Sequence, residues 1–115
     1  MATGTMQTPG ARIMRFNVQS GHKVVITLSG ATNVYSLLIT TAGSRDYNTV
    51  YHVAGYGASS SSCYIETIVA GSAISLNKSN GKVEIVASGS NGYRVTITAL
   101  YEDPGGVSAA LVSTS

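Results

Sequence analysis

From Tyr93 to Tyr101 the chain alternates apolar and polar residues at a period of two. Tyr93, Val95, Ile97, Ala99 and Tyr101 fall on one parity, and Arg94, Thr96 and Thr98 on the other. Such a run can bury one side of an extended strand. It cannot build one face of a helix, whose repeat is about 3.6 residues. The threonines suit the outer side, because a branched Cβ packs well on a pleated surface.

The same period recurs along the chain. Arg12 to Val18 points Met14, Phe16 and Val18 inward, and Lys23 to Ser29 points Val24, Ile26 and Leu28 inward. Val34 to Thr41 carries Tyr35, Leu37 and Ile39 on one face but Leu38 on the other. That marks a central strand, or one covered at an interface. Val50 to Tyr56 and Cys63 to Ala70 alternate more weakly. Ser72 to Asn77 and Lys82 to Ala87 send Ile74, Leu76, Val83 and Ile85 inward.

Turn chemistry separates these runs. Gln19 to His22 and Gly30 to Asn33 end the first two strands. Lys78 to Gly81 and Gly89 to Gly92 each contain Asn-Gly, which tolerates the positive φ of tight hairpins. The last three strands are therefore expected to form a meander of two hairpins. About eight short strands joined by turns read as an all-β protein, an antiparallel β-sandwich of jelly-roll-like form. The chain of 115 residues is expected to be one domain, residues 11–102, with an N-terminal arm over 1–10 and a C-terminal arm over 103–115. Val107, Leu111 and Val112 make the second arm too apolar to hang free. It is expected on a neighbouring surface, such as another subunit's.

Composition narrows the function. Only 10% of residues are charged, where an average soluble domain has roughly 25%. Serine, threonine and 13 glycines take their place. The seven basic residues form no stripe, which argues against nucleic-acid binding. No apolar run approaches the roughly 18 residues of a membrane span, so no membrane insertion is expected. The N-terminal segment has no basic and apolar pair of regions of the signal-peptide kind, which points to synthesis in a cytoplasm without a signal peptide. Cys63 is the one cysteine and reads as a small buried apolar side chain.

Catalysis finds little support. The histidines are His22, in a turn, and His52, in a strand. Asp46 and His52 could join one of many serines in a Ser–His–Asp set, but no Gly-x-Ser-x-Gly elbow is present. Glu66 and Glu84 lie on outward parities, and nothing in the sequence pairs them across a cleft. Asp46 and Asn48, or Glu102 and Asp103, offer oxygen ligands but fall short of the six or so that calcium takes. No cofactor, metal or catalytic residue is expected.

Binding is where residue types concentrate. Two polar loops, 41–49 and 55–63, flank the fourth candidate strand. Within or beside them lie Arg45, Asp46, Tyr47, Asn48, His52, Tyr56 and Tyr64. Tyrosine set among Ser, Gly and Asn supplies contact area at low entropic cost, with adaptable hydrogen bonding around it. These seven residues are the candidate ligand-binding set. Tyr35, Tyr93 and Tyr101 are expected in the core.

Three segments carry a resemblance of texture and order: Gly30-Ala-Thr-Asn-Val-Tyr-Ser-Leu-Leu-Ile-Thr-Thr41, Val50-Tyr-His-Val-Ala-Gly-Tyr-Gly57 and Asn91-Gly-Tyr-Arg-Val-Thr-Ile-Thr-Ala-Leu-Tyr101. Over residues 11–101 the chain resembles the distal β-domains of bacteriophage tail fibres and related small virion proteins. The resemblance implies a homotrimeric, non-enzymatic structural protein of the virion. Its partners would be copies of itself, other phage virion proteins and host surface carbohydrate. The likeness lacks a shaft or coiled-coil segment. Two alternatives stand beside it: a capsid decoration protein clamping its neighbours through its arms, and a carbohydrate-binding module of a secreted enzyme.

Overall fold

The computed structural model describes residues 12–114, and the expected N-terminal arm over 1–10 lies outside them. Nine strands follow in chain order: β1 (Arg12–Val18), β2 (His22–Leu28), β3 (Val34–Gly43), β4 (Thr49–Tyr56), β5 (Cys63–Val69), β6 (Ile74–Ser79), β7 (Lys82–Ala87), β8 (Tyr93–Glu102) and β9 (Val107–Ser113). They pair antiparallel into two sheets. The front sheet runs β1-β8-β3-β4-β5 and the back sheet β6-β7-β2-β9. The chain is thus an all-β antiparallel sandwich, jelly-roll-like in that β1, β8 and β3 lie in one sheet and β2 and β7 in the other.

The expected parities form the core between the sheets. Val18, Val24, Ile26, Leu37, Ile39, Val53, Val83, Ile85, Val95 and Ile97 are completely buried. Each buried aliphatic of this kind contributes about 1.5–3 kcal/mol relative to exposure. Cys63 is buried as a free thiol, as its isolation in the sequence implies. β3 is the middle strand of the front sheet, which accounts for Leu38 on its outer face.

Three expectations are corrected. First, the C-terminal segment is not an arm on another surface. Val107–Ser113 is β9, paired with β2 from Leu28↔Val107 to His22↔Ser113. The free edge of β2 offers a full ladder of backbone groups, and the turn at Asp103–Gly106 returns the chain to it. Second, β7 and β8 do not form a hairpin, because β7 lies in the back sheet and β8 in the front. The Ser-Asn-Gly signal acts as a hairpin turn once, at β6–β7, where Gly81 takes φ 78°. Neither Gly89 nor Gly92 adopts positive φ, and their loop carries the chain between sheets. Third, Tyr101 is not core, because one residue of β8 is extra. Ser36 pairs with Tyr101, and Leu37 pairs with Ala99. The bulged Leu100 shifts the parity and turns Tyr101 outward, where it is 41% exposed.

A candidate binding face

Consecutive hairpins place their loops at alternate ends of a sheet. The loop between β3 and β4 is at one end of β4, and the loop between β4 and β5 is at the other. The eight residues of β4 separate the two loops by roughly 25 Å. The seven candidate residues therefore divide. Arg45, Asp46, Tyr47 and Asn48 are at one end, Tyr56 and Tyr64 at the other, and His52 is midway. They do not form one site.

At the first end, Tyr47 and Asn48 hold the loop together. A 3-10 turn covers Arg45–Tyr47 and buries Tyr47. The Tyr47 ring meets Tyr93 at 5.6 Å between centroids. Its hydroxyl accepts from the Asn91 amide at 3.3 Å. Thr41 Oγ1 donates to the Tyr47 carbonyl at 2.6 Å. Asn48 Nδ2 donates to the carbonyls of Gly43, Ser44 and Arg45 at 3.1–3.3 Å, and Asn48 Oδ1 accepts from the Gly43 amide. The Tyr47 hydroxyl is thus committed to the β7–β8 connection, and the Asn48 amide to its own loop. Arg45 and Asp46 stay exposed.

At the second end the tyrosines are open. Tyr56 is 53% exposed and Tyr64 is 69% exposed, both on the outer side of the front sheet. The register adds Tyr101. Tyr101 pairs with Ser36, Ser36 with Ala54, and Ala54 with Tyr64. Four adjacent strands thus present Tyr, Ser, Ala and Tyr in one row. At about 4.8 Å per strand the two tyrosines stand about 14 Å apart across a floor of small side chains. Val34 and Tyr56 pair one step nearer the sheet end. On the loop side of Tyr56 lies a shallow depression of about 330 Å³ lined by Ala31, Gly57, Ala58, Ser59 and Ser62.

The rim of this face is fixed by its own contacts. Tyr101 donates its hydroxyl to Asp103 Oδ1 at 2.9 Å, and Asp103 Oδ2 accepts the Val34 amide at 2.8 Å. The hydrogen bond to the Asp103 carboxylate raises the Tyr101 pKa, since it holds the phenolic proton. The serine loop is tied to the β6–β7 turn: Asn80 Oδ1 accepts from the Ser60 amide, and the Gly81 amide donates to the Ala58 carbonyl.

His52 lies next to the row, and its Nε2 is 2.8 Å from Ser36 Oγ. Asp46, its partner in the imagined Ser–His–Asp set, is in the turn before β4. Glu66 faces His52 across the β4–β5 ladder but makes no ion pair or hydrogen bond with it. Among the described residues no three His, Cys, Asp or Glu side chains come together as a metal-binding group.

Sequence reading missed Tyr101 and the small floor of Ser36 and Ala54. The visible sign was Leu100, an apolar residue where strict alternation calls for a polar one. In comparisons with known proteins, no family model, curated protein or solved structure matches the chain.

Proposed function

We propose that this chain is a non-enzymatic structural protein of a bacteriophage virion, the homotrimeric tip or receptor-binding domain of a tail fibre that adheres to host surface glycan. The carrying observation is the row Tyr101–Ser36–Ala54–Tyr64 with Tyr56 beside it. Two exposed aromatic faces flank a shallow floor on a sheet whose backbone is locked in ladders. A saccharide ring would lie over Ser36 and Ala54, stack its apolar side on tyrosine and take hydrogen bonds from Ser36, His52 and the serine loop. Such a contact is weak alone, and repetition in a trimer multiplies it through effective concentration.

The Ser36–His52 pair also fits a binding role better than a catalytic one. It lies on an open sheet surface, and strand amides around it are held in ladder bonds, so none is aimed at a developing oxyanion. The capsid-clamping alternative loses one of its two supports, because the C-terminal segment is built into the sandwich as β9.

The test is cell-surface and glycan-array binding by the full chain and by Tyr56→Ala and Tyr64→Ala. Both variants should bind at least about tenfold more weakly while melting at the parent temperature, since neither ring is buried. Unchanged binding in both would overturn the reading.

A further inference from the structure

We infer that Arg15 and Arg94 form a second site, at the opposite end of the front sheet from the tyrosines, that takes an oxyanion such as a phosphate, sulfate or carboxylate group. On the β1–β8 ladder Arg15 pairs with Thr96, and Asn17 pairs with Arg94. The two arginines are therefore diagonal neighbours on the outer face, about 7 Å apart at their Cβ atoms. Both are exposed, and neither makes an ion pair or a hydrogen bond among the described residues. They border a cleft of about 500 Å³ that Asn17, Thr96, Phe16 and the small Ala42 also line.

Four of the five carboxylates are placed elsewhere. Glu102 is taken by Arg12, and Glu84 by Lys23 on the back sheet. Asp103 is at the far end with Tyr101, and Glu66 is on β5, four strands across from β1. The fifth, Asp46, is in the turn at the same end and makes no ion pair among the described residues. In a chain with only seven cations, two are held side by side without a counterion, which costs repulsion. Guarding a sheet edge against pairing would account for Arg15, since β1 is an edge strand. It does not account for Arg94, whose strand lies between β1 and β3. An oxyanion would receive two guanidinium forks, with Asn17 and Thr96 as further hydrogen-bonding neighbours.

The inference stands apart from the adhesion reading. The experiment titrates the full chain with inorganic phosphate, with dextran sulfate and with neutral dextran, following backbone amide shifts by NMR. Shifts at Arg15, Asn17, Arg94 and Thr96 are expected, with none from neutral dextran. Phosphate acting at these residues supports a free oxyanion, and dextran sulfate acting alone supports a polymer-borne one. Arg15→Ala and Arg94→Ala should each weaken binding by about tenfold. Arg94→Lys should weaken it too, because the charge remains but the fork is lost. Melting temperatures should not fall, and Tyr64→Ala should bind oxyanion normally even if it no longer binds cells. Unchanged binding in the alanine variants would overturn the inference. So would shifts spread equally over Lys23, Lys78 and Lys82.

Discussion

Arg12 holds Glu102 through two parallel bonds, Nε to Oε2 at 2.7 Å and Nη2 to Oε1 at 2.6 Å. The same Nη2 donates to the Val107 carbonyl at 2.6 Å. One guanidinium therefore joins the first strand, the end of β8 and the start of β9 across one open side of the sandwich. On the other side Lys78 of β6 donates to the Cys63 carbonyl of β5. Each side where the sheets part is tied by one cation reaching from one sheet to a carbonyl of the other.

Arg12→Ala removes this tie. Arg12 is half exposed, so the ion pair itself is worth about 1 kcal/mol or less. Losing the bond to Val107 adds about 1 kcal/mol. A fall in melting temperature of about 5 °C or more is expected, smaller in Arg12→Lys, and read by calorimetry. An unchanged midpoint would show that the contact is not formed in solution.

The hydroxyls of Tyr35 and Tyr93 are buried without a hydrogen-bond partner among the described residues. Burial raises both pKa values above the ordinary 10, and the neighbouring Cys63 adds to the rise at Tyr35. Tyr35→Phe and Tyr93→Phe should therefore be neutral or stabilise by up to about 1 kcal/mol. The sign with pH follows from the raised folded values. The contribution is complete below about pH 10, where the unfolded chain keeps its phenolic protons, and is lost as pH rises through the folded values. Chemical denaturation between pH 8 and 11.5, on the order of this window, should show a steep alkaline loss that is shallower in the double Phe variant. An equal slope in both proteins would contradict the burial of these rings.

Ile68 and Val69 stand exposed together on the edge strand β5, where a second register shift falls between Val50 and Tyr51. Adjacent apolar side chains on an unpaired edge form the surface the proposed trimer would bury. Ile68→Asp should reduce the mass seen by sedimentation at micromolar protein from trimer to monomer without unfolding the chain. A parent protein that is already monomeric would refute the trimer.

Deleting residues 107–114 should unfold the domain. Val107 is buried, and the strand supplies the whole ladder on one edge of β2. Circular dichroism should show lost β structure. A folded, cooperative truncation would show instead that β9 is dispensable.

Gly55→Ala should destabilise the protein by about 2 kcal/mol or more. An added Cβ would clash with the Tyr35 hydroxyl and the Ser62 carbonyl oxygen. Tyr35→Phe would remove the hydroxyl contact, but the ring Cζ at 2.7 Å and the Ser62 carbonyl would remain. The double variant should recover only part of the loss in urea titrations.

Period-two alternation by itself determined eight of the nine strands among the described residues and, for most of them, which face is buried. Val24, Ile26, Val83, Ile85, Val95 and Ile97 are all where their parity put them, because a strand's side chains can point only two ways. Tertiary structure decided what local signals do not encode. The free edge of β2 made a strand of Val107–Ser113, and sheet order turned the Gly89–Gly92 loop into a crossing. A one-residue bulge at Leu100 brought Tyr101 to the surface beside Ser36. Packing against Tyr93 buried Tyr47, while Tyr56 beside the other polar loop stayed exposed. Pairing of β1 with β8, some eighty residues apart in the chain, set Arg15 beside Arg94. Each of these depends on contacts distant in sequence, and a period read along the chain carries no information about them.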